Sequence, residues 1–437
     1  MLNLTGAVSI VVDEHSDGPG ELLLDGAQVA TSGADASGAA TLDVSGHVVT
    51  PGLVNAHHHL LQSAFRTLPG TRGVPMAAWL PAMAAAYARV GIDPELASIA
   101  AGIGVAEGLL SGVTTVADHH LNWGSATTAE SVEIARATTD AARALGGRIA
   151  FVRGAARDDP QAAASSAQAI VDALLPGTHG GVSGDGMLQL AVGPAGVHSD
   201  LRETFELLGE VAARHGLRRR TQANEQVDVV IALERYGKRP LDLLEEWGWL
   251  ADDVTIAHLC DVSEGEIIRL AAAGVTATHA PGCDVPMGWG IAPVAQLAAA
   301  GVVLGLGTSG GGSNDAGHLL ADARLAMQVS GLVGEQLPAR QALAMATAGS
   351  AAGLGRAELG HLRPGAAADL CVWDVSGVAD AGVADPVAGV LWAAPGRRPR
   401  HVLVGGEFVV RDFELVNADE HELVARLKER LAHTPAF

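Results

Sequence analysis

The sequence predicts an α/β fold: a distorted TIM (β/α)8 barrel with a small β-sandwich domain built from both termini. Three observations carry this. From Val49 onward, apolar strand-like runs alternate with amphipathic helices, the pattern that builds parallel sheets from βα units. Histidines and polar residues recur where those strands finish, the face on which such barrels assemble their chemistry. Before residue 50 and after Gly349, short strands and turn clusters replace that pattern. A barrel of this kind uses ~250 residues. A chain of 437 residues therefore divides into a first β-domain segment at 1–50, the barrel at 51–362, and a second β-domain segment with a C-terminal helix at 363–437.

Taken in order, the opening segment breaks its apolar runs at Ser16-Asp17-Gly18-Pro19-Gly20, a turn cluster. A strand beginning near Val49 runs into His57-His58-His59. Asp93 reads as an N-cap followed by Pro94 and Glu95, with Gly112 as the stop. Residues 113–117 form the next strand, ending on Asp118-His119-His120. A helix starts at Ser199 or Asp200 and runs to His215, Gly216 stops it, and a strand at 218–223 ends on Gln222, Asn224 and Glu225. Residues 254–257 form a strand ending on His258. The capping box Ser263-x-x-Glu266 opens a helix stopped by Gly274, and a strand at 275–278 ends near His279. A helix at 293–300 and a strand at 302–306 end at Thr308-Ser309. Beyond the turn Leu362-Arg363-Pro364-Gly365, strands fall at 368–373 and 401–404. Gly405-Gly406 turns into a hairpin strand at 408–411, and residues 419–432 form a last amphipathic helix.

Composition sets outer limits. With 48% hydrophobic and 18% charged residues, and a mean hydropathy of +0.25, the chain has ample material for a core and is not a disordered one. Its formal charge of −21 argues against nucleic acid and anionic membranes, both of which reward a basic face. The short basic runs at 218–220 and at Arg397, Arg398 and Arg400 read as solvated surface. Three cysteines, Cys260, Cys283 and Cys371, lack CxxC spacing, so a disulfide framework is not expected and a reducing cytoplasm is. The first twelve residues lack the basic opening of a signal peptide. The uncharged stretch 291–314 is broken by glycines into short core elements.

Strand side chains alternate faces, so His57 and His59 point the same way, as two ligands of one metal must, while His58 points elsewhere. These residues carry a resemblance. Thr50-Pro51-Gly52-Leu53-Val54-Asn55-Ala56-His57-His58-His59-Leu60 is similar to the opening metal motif of the amidohydrolase superfamily, particularly its heterocycle-deaminase and triazine-hydrolase branch. Arg363-Pro364-Gly365-Ala366-Ala367-Ala368-Asp369-Leu370 resembles the return from barrel to small domain, and Val404-Gly405-Gly406-Glu407-Phe408-Val409-Val410-Arg411 the closing hairpin. Met76-Ala77-Ala78-Trp79-Leu80, Thr114-Thr115-Val116-Ala117-Asp118-His119-His120-Leu121 and Met287-Gly288-Trp289-Gly290-Ile291-Ala292-Pro293 resemble that branch further.

The resemblance implies a mononuclear metal-dependent hydrolase acting on a C–N, C–halogen or C–S bond of a nitrogen heterocycle. Deamination of an amino-purine, pterin, pyrimidine or s-triazine is the leading expectation. The family places a metal-binding histidine after strand five and a catalytic glutamate three residues later. Here Gln222 stands for the histidine, and Glu225 is present. A glutamine offers only a neutral carbonyl oxygen, so Gln222 is either a weak ligand or a hydrogen-bonding neighbour. The family's strand-eight aspartate is Ser309 here, a hydroxyl as in the triazine-hydrolase branch.

The ligand set is then His57, His59 and His258, with Gln222 beside them, and an open position for water. The cofactor is one divalent transition metal, zinc, with iron(II) as the alternative. Neither of the chain's two lysines, Lys238 and Lys428, sits where a bridging lysine would hold a second metal. Catalytic roles fall to Glu225 as proton carrier, to His258 as ligand or polarising group, and to Ser309. Gln62, Trp79, His119, His120, Trp123, Asn224, Cys283, Asp284 and Trp289 are candidates for substrate contact, and His279 is either a catalytic neighbour or a satisfied core histidine. The partner is a small heterocycle, and a homo-oligomer, a dimer, is expected. Two rivals remain. Gly305-Leu306-Gly307-Thr308-Ser309-Gly310 matches a dinucleotide-binding GxGxxG, and loss of the usual ligands at Gln222 and Ser309 would suit a non-catalytic small-molecule binder.

Overall fold

The computed structural model describes residues 1–124 and 126–432. The last five positions of the segment expected to end at 437 lie outside the described residues. Two nine-stranded sheets form the frame.

The first sheet joins both ends of the chain. Its N-terminal strands are β1 (Leu2–Asp13), β2 (Ser16–Asp25), β3 (Gln28–Val29), β4 (Ala40–Asp43) and β5 (His47–Pro51). The second sheet is the barrel: β6 (Leu53–His59), β7 (Val113–His120), β8 (Arg148–Ala155), β9 (Leu188–Pro194), β10 (Arg218–Ala223), β11 (Val254–His258), β12 (Thr276–His279), β13 (Val303–Leu306) and β14 (Ser309–Gly310). The chain then returns to the first sheet as β15 (Leu370–Asp374), β16 (His401–Val404), β17 (Glu407–Arg411) and β18 (Glu414–Leu415). In that sheet the order is β18-β17-β16-β15-β5-β1-β2-β3, with β4 on β1. Val49 pairs antiparallel with Val372 on one side, and Ile10 pairs parallel with it on the other.

Every barrel pairing is parallel, and β14 closes the circle by pairing Ser309 with His58 and Gly310 with His59. β13 and β14 are two halves of the eighth strand, parted at Gly307-Thr308. The physical cause is close approach: a Cβ on Gly307 would lie 2.7 Å from the Cβ and the carbonyl oxygen of His57. Asn55 bridges the gap, donating from Nδ2 to Thr308 Oγ1 at 2.7 Å and accepting from Thr308 N at 3.2 Å. A Cβ on Gly305 would press on Ser350 at 3.0 Å. These glycines therefore serve strand packing, which removes the phosphate-loop reading of the GxGxxG match.

The single strand expected from Val49 to His59 is two strands in two sheets. Gly52 marks the crossing: its N–H bonds Asp369 O at 2.9 Å, and the next N–H, Leu53, bonds Gly112 O at 2.9 Å. A side chain at 52 would run into Thr114, 2.3 Å away. The helix expected from Ser199 or Asp200 begins later, as Arg202–His215. Asp200 instead turns inward, accepting from Ser199 Oγ at 2.6 Å and from Arg157 N at 3.2 Å. The Asp93 cap and the Ser263–Glu266 capping box form as expected.

Two arginines read as solvated surface are buried. Arg220 points inward from β10 and donates to the carbonyls of Ala56 and Gly353. Arg397 is held by Asp380 at 2.5 Å and by the carbonyl of Asp374. No helix among the described residues is long and apolar enough to cross a membrane.

Candidate active site

The barrel strands deliver their polar ends to one face, around a cavity of about 210 Å³. β6 supplies His57 and His59, whose rings lie 4.8 Å apart and nearly perpendicular. β11 supplies His258, its ring 5.2 Å from that of His57. All three are buried. His58 faces the other way and bonds Thr308 Oγ1 through Nδ1 at 2.8 Å. Burial and the neighbouring imidazoles hold His57 well below its ordinary pKa, and burial lowers His59 to about 4.

Hydrogen bonds set the tautomers. His59 Nδ1 donates to the carbonyl of His119 at 2.7 Å, which leaves Nε2 with a free lone pair. His57 Nε2 is buried and makes no hydrogen bond within the protein. An unpaired buried nitrogen costs stability, and a lone pair left open in this way is what a cation ligand requires. His258 is bound on both edges: Nδ1 donates to Asp284 Oδ1 at 2.6 Å, and Nε2 donates to Gln222 Oε1 at 3.1 Å. Burial alone would lower its pKa, but the carboxylates of Asp284 and Glu225 outweigh that and raise it.

Among the described residues, one group of three His, Cys, Asp or Glu ligand atoms lies within 4.8 Å of one another, and it is His258, Cys283 and Asp284. The trio His57, His59 and His258 is more open than this. What favours a cation at His57 and His59 is the chemistry of the donors: the fixed tautomer of His59, the unbonded Nε2 of His57, the second lone pair of the Gln222 carbonyl oxygen, and a carboxylate at hand.

That carboxylate is Glu225. Its Oε1 lies 3.6 Å from His258 Nε2, and neither oxygen accepts a hydrogen bond. Burial pushes its pKa up, with His258 opposing. The turn that aims it is built by Asp228, whose carboxylate accepts from the N–H of Asn224 and the N–H of Glu225, both at 2.6 Å. Asn224 and Gln226 on either side have φ of +59° and +69°, and His258 has φ of +77°. Such left-handed residues are uncommon outside glycine and cluster where structure is held for function.

Of the residues singled out from sequence, His59, Gln62, Trp79, Gln222, Glu225, Trp289 and Ser309 line the cavity. Gln62 accepts from Gly312 N at 3.0 Å, and Trp79 Nε1 donates to Gly312 O at 2.9 Å, so both are fixed against the strand-eight loop. Ser309, with φ of +54°, lies 3.5 Å from Ser313 through their hydroxyls.

Several candidates for substrate contact lie elsewhere. Trp123 donates to Gly154 O at 2.8 Å under the guanidinium of Arg153, 4.7 Å away, and is a packing residue. His119 donates from Nε2 to Gly193 O at 2.9 Å, with its ring 5.9 Å from that of His57 and 6.1 Å from that of His59. His120 packs on Trp123 and Phe151. Asn224 turns outward to Asp261 O at 2.7 Å. Cys283 and Asp284 lie behind His258, outside the lining.

Other lining residues had no place in the sequence reading. The helix Met76–Val90 contributes an apolar wall of Met76, Leu80, Met83, Ala84 and Tyr87 beside Trp79. The opposite end is polar: Asn122, Arg157, His198 and Ser199. His198 is buried, with Nδ1 unbonded. It follows β9, a strand that the pattern reading skipped; recognising the alternation at 188–194 would have drawn the eye to it.

A model of the amidohydrolase family matches residues 48–409. The chain is 35% identical over 402 residues to an 8-oxoguanine deaminase of Pseudomonas aeruginosa, covering 89% of this chain and 88% of the relative. It is 30% identical over 433 residues to a 5-methylthioadenosine/S-adenosylhomocysteine deaminase of Halobacterium salinarum, covering 96% and 95%. Among solved structures, atrazine chlorohydrolase from Arthrobacter aurescens TC1 complexed with zinc superposes with a TM-score of 0.90 at 32% identity, covering 99% of this chain and 100% of that one.

Proposed function

The chain belongs to the amidohydrolase family, and on that premise we propose that it is a mononuclear metal-dependent aminohydrolase that opens the C–N bond between a nitrogen heterocycle and an exocyclic amino group. The observation that carries this reading is Glu225: a buried carboxylate with no hydrogen bond, facing the cavity beside His59, Gln222 and His258. A buried carboxylate left bare is costly, and its place facing the cavity suits this one to moving a proton.

His57 and His59, with the carbonyl oxygen of Gln222, are the residues that would hold the cation. We take it to be zinc, as in the solved relative. When bound it supplies Lewis-acid activation of water. Glu225 then takes the proton as water oxygen bonds to the ring carbon, and returns it to the amino nitrogen as that C–N bond breaks and ammonia leaves. The sequence left His258 as ligand or polarising group. Its two committed N–H bonds favour the second role, a donor toward the negative charge that grows on the ring nitrogen, anchored by Asp284. Trp79 and Trp289 offer flat faces to a ring. Asn122, Arg157 and His198 suit acceptor atoms at the ring's far edge, so purines and pterins fit the lining better than an alkyl-only ring.

A screen of amino-purines, pterins, pyrimidines and s-triazines for ammonia release tests the reading. Release from at least one, lost in Glu225→Gln with metal retained, is the expected result. Full activity of that variant would refute the role of Glu225. One observation favours a second reading, a binder without catalysis: Gln222 accepts from His258 and so ties up a ligand position. A purified protein that retains no transition metal after zinc is added would select it. Three unpaired cysteines fit a reducing cytoplasm; the expected homodimer is checked by light scattering.

A further inference from the structure

The two nitrogens of His258 face opposite ways. Nε2 faces Gln222 and Glu225, whereas Nδ1 faces Asp284 on the helix Pro281–Met287. One ligand atom from each of His258, Cys283 and Asp284 lies within 4.8 Å of the other two, and all three side chains are buried, with the Cys283 thiol beside the hydroxyls of Ser309 and Ser313. A second observation points to the same place. His279 is 2% exposed, yet neither of its ring nitrogens makes a hydrogen bond. Its Nδ1 is 3.7 Å from Asp284 Oδ2, an oxygen that also accepts no hydrogen bond.

An imidazole, a thiol and a carboxylate, with a second imidazole at the edge, form a donor set of borderline softness that suits zinc-like cations and not magnesium or calcium. We propose that His258, Cys283 and Asp284, completed by His279, form a second site for one thiophilic divalent cation, separate from the one at His57 and His59. Binding replaces the proton between His258 Nδ1 and Asp284 and removes the thiol proton of Cys283. Both protons leave to solvent as bonds form from the cation to nitrogen, sulfur and oxygen. Since the cation takes the partner that anchors His258, filling this site inhibits the enzyme. That consequence rests on the role proposed for His258; the binding itself does not.

Titration of the metal-stripped full chain with cobalt(II) chloride tests it. The expected result is a thiolate-to-cobalt charge-transfer band in the near ultraviolet, retained in Cys371→Ser and Cys260→Ser and lost in Cys283→Ser. Cobalt bound at saturation should fall by about one equivalent per chain in Cys283→Ser. Circular dichroism confirms that this near-isosteric variant is folded. Asp284→Asn, which leaves the thiol in place, should keep the band but require ~10-fold more cobalt to reach it. Absence of the band in the unmodified protein, or its survival in folded Cys283→Ser, overturns the proposal. A band without ammonia release from any heterocycle would leave this site standing while refuting the proposed reaction.

Discussion

The two ends of the barrel treat buried charge in opposite ways. Where the strands begin, Arg148 lays both arms of its guanidinium on Asp369 at 2.7 and 2.9 Å, and Asp369 also accepts from Gly405 N at 2.7 Å. The hydroxyls of Thr255 and Thr276 bond at 2.7 Å, and Thr255 reaches Gly353 O at 2.7 Å. Where the strands finish, His57 Nε2, both oxygens of Glu225 and both nitrogens of His279 are buried and unbonded. The first end is arranged for stability, with charge neutralised in place. The second, beside the one neutralised pair of His258 and Asp284, leaves several polar valences open. One fold thus separates the two demands by about the length of a strand, which is how such barrels change chemistry without losing their frame.

Breaking the comparison at its active end should give the largest effect. Glu225→Gln keeps shape and burial but cannot carry a proton, so kcat should fall by about 10²–10⁴-fold while the thermal midpoint holds or rises; steady-state kinetics beside calorimetry reads both. The mirror experiment is Asp369→Ala at the other end. It strands Arg148 without its carboxylate and should cost about 3–5 kcal/mol in urea unfolding, with metal content unchanged in the folded fraction. If that variant instead lost metal first, the two ends would not be separable.

Gln222→His sharpens the contrast by a smaller step. Exchanging a carbonyl oxygen for an imidazole nitrogen should tighten zinc by ~10-fold or more in chelator competition. The smallest effect is in pH dependence. Burial raises Asp200 from 3.8 to about 7. Between those values the folded chain binds a proton that the unfolded chain has released, so stability contributed by this group falls as pH rises through that window. Asp200→Asn should flatten that part of a stability-versus-pH curve; an unchanged slope would show that Asp200 ionises normally.

Much of this was legible in the sequence because it is written in local spacing. The strand-end positions of His57, His59, Glu225 and His258 follow from period-two alternation and glycine stops, and the structure brings the four side chains near one another, with His59 and Glu225 lining the cavity and His57 and His258 packed behind them. The interior ends of long side chains were not legible. Arg220 looked like part of a solvated basic run, but its alternation on β10 turns it into the barrel, while Arg219 reaches out to Asp253 at 2.6 Å. Trp123 and Asn224 sit at strand ends as the pattern demands, yet each is captured by a backbone carbonyl. Direction beyond the strand end depends on loops, and loops obey partners distant in sequence. The relation of Cys283 and Asp284 to His258 is of the same kind, since one short helix folds back behind the strand.

The pairing of Val49 with Val372 also constrains the order in which the protein can form. During synthesis, β5 leaves the ribosome with one edge and the apolar side chains of Val48 and Val49 in search of β15, which does not yet exist. The whole barrel must be translated first. Until then this edge is an open template for other chains. A nascent chain stalled or truncated before residue 370 would therefore carry an assembled ring of strands beside an unfinished sheet, and self-association would begin at the ends of the protein, far from its chemistry.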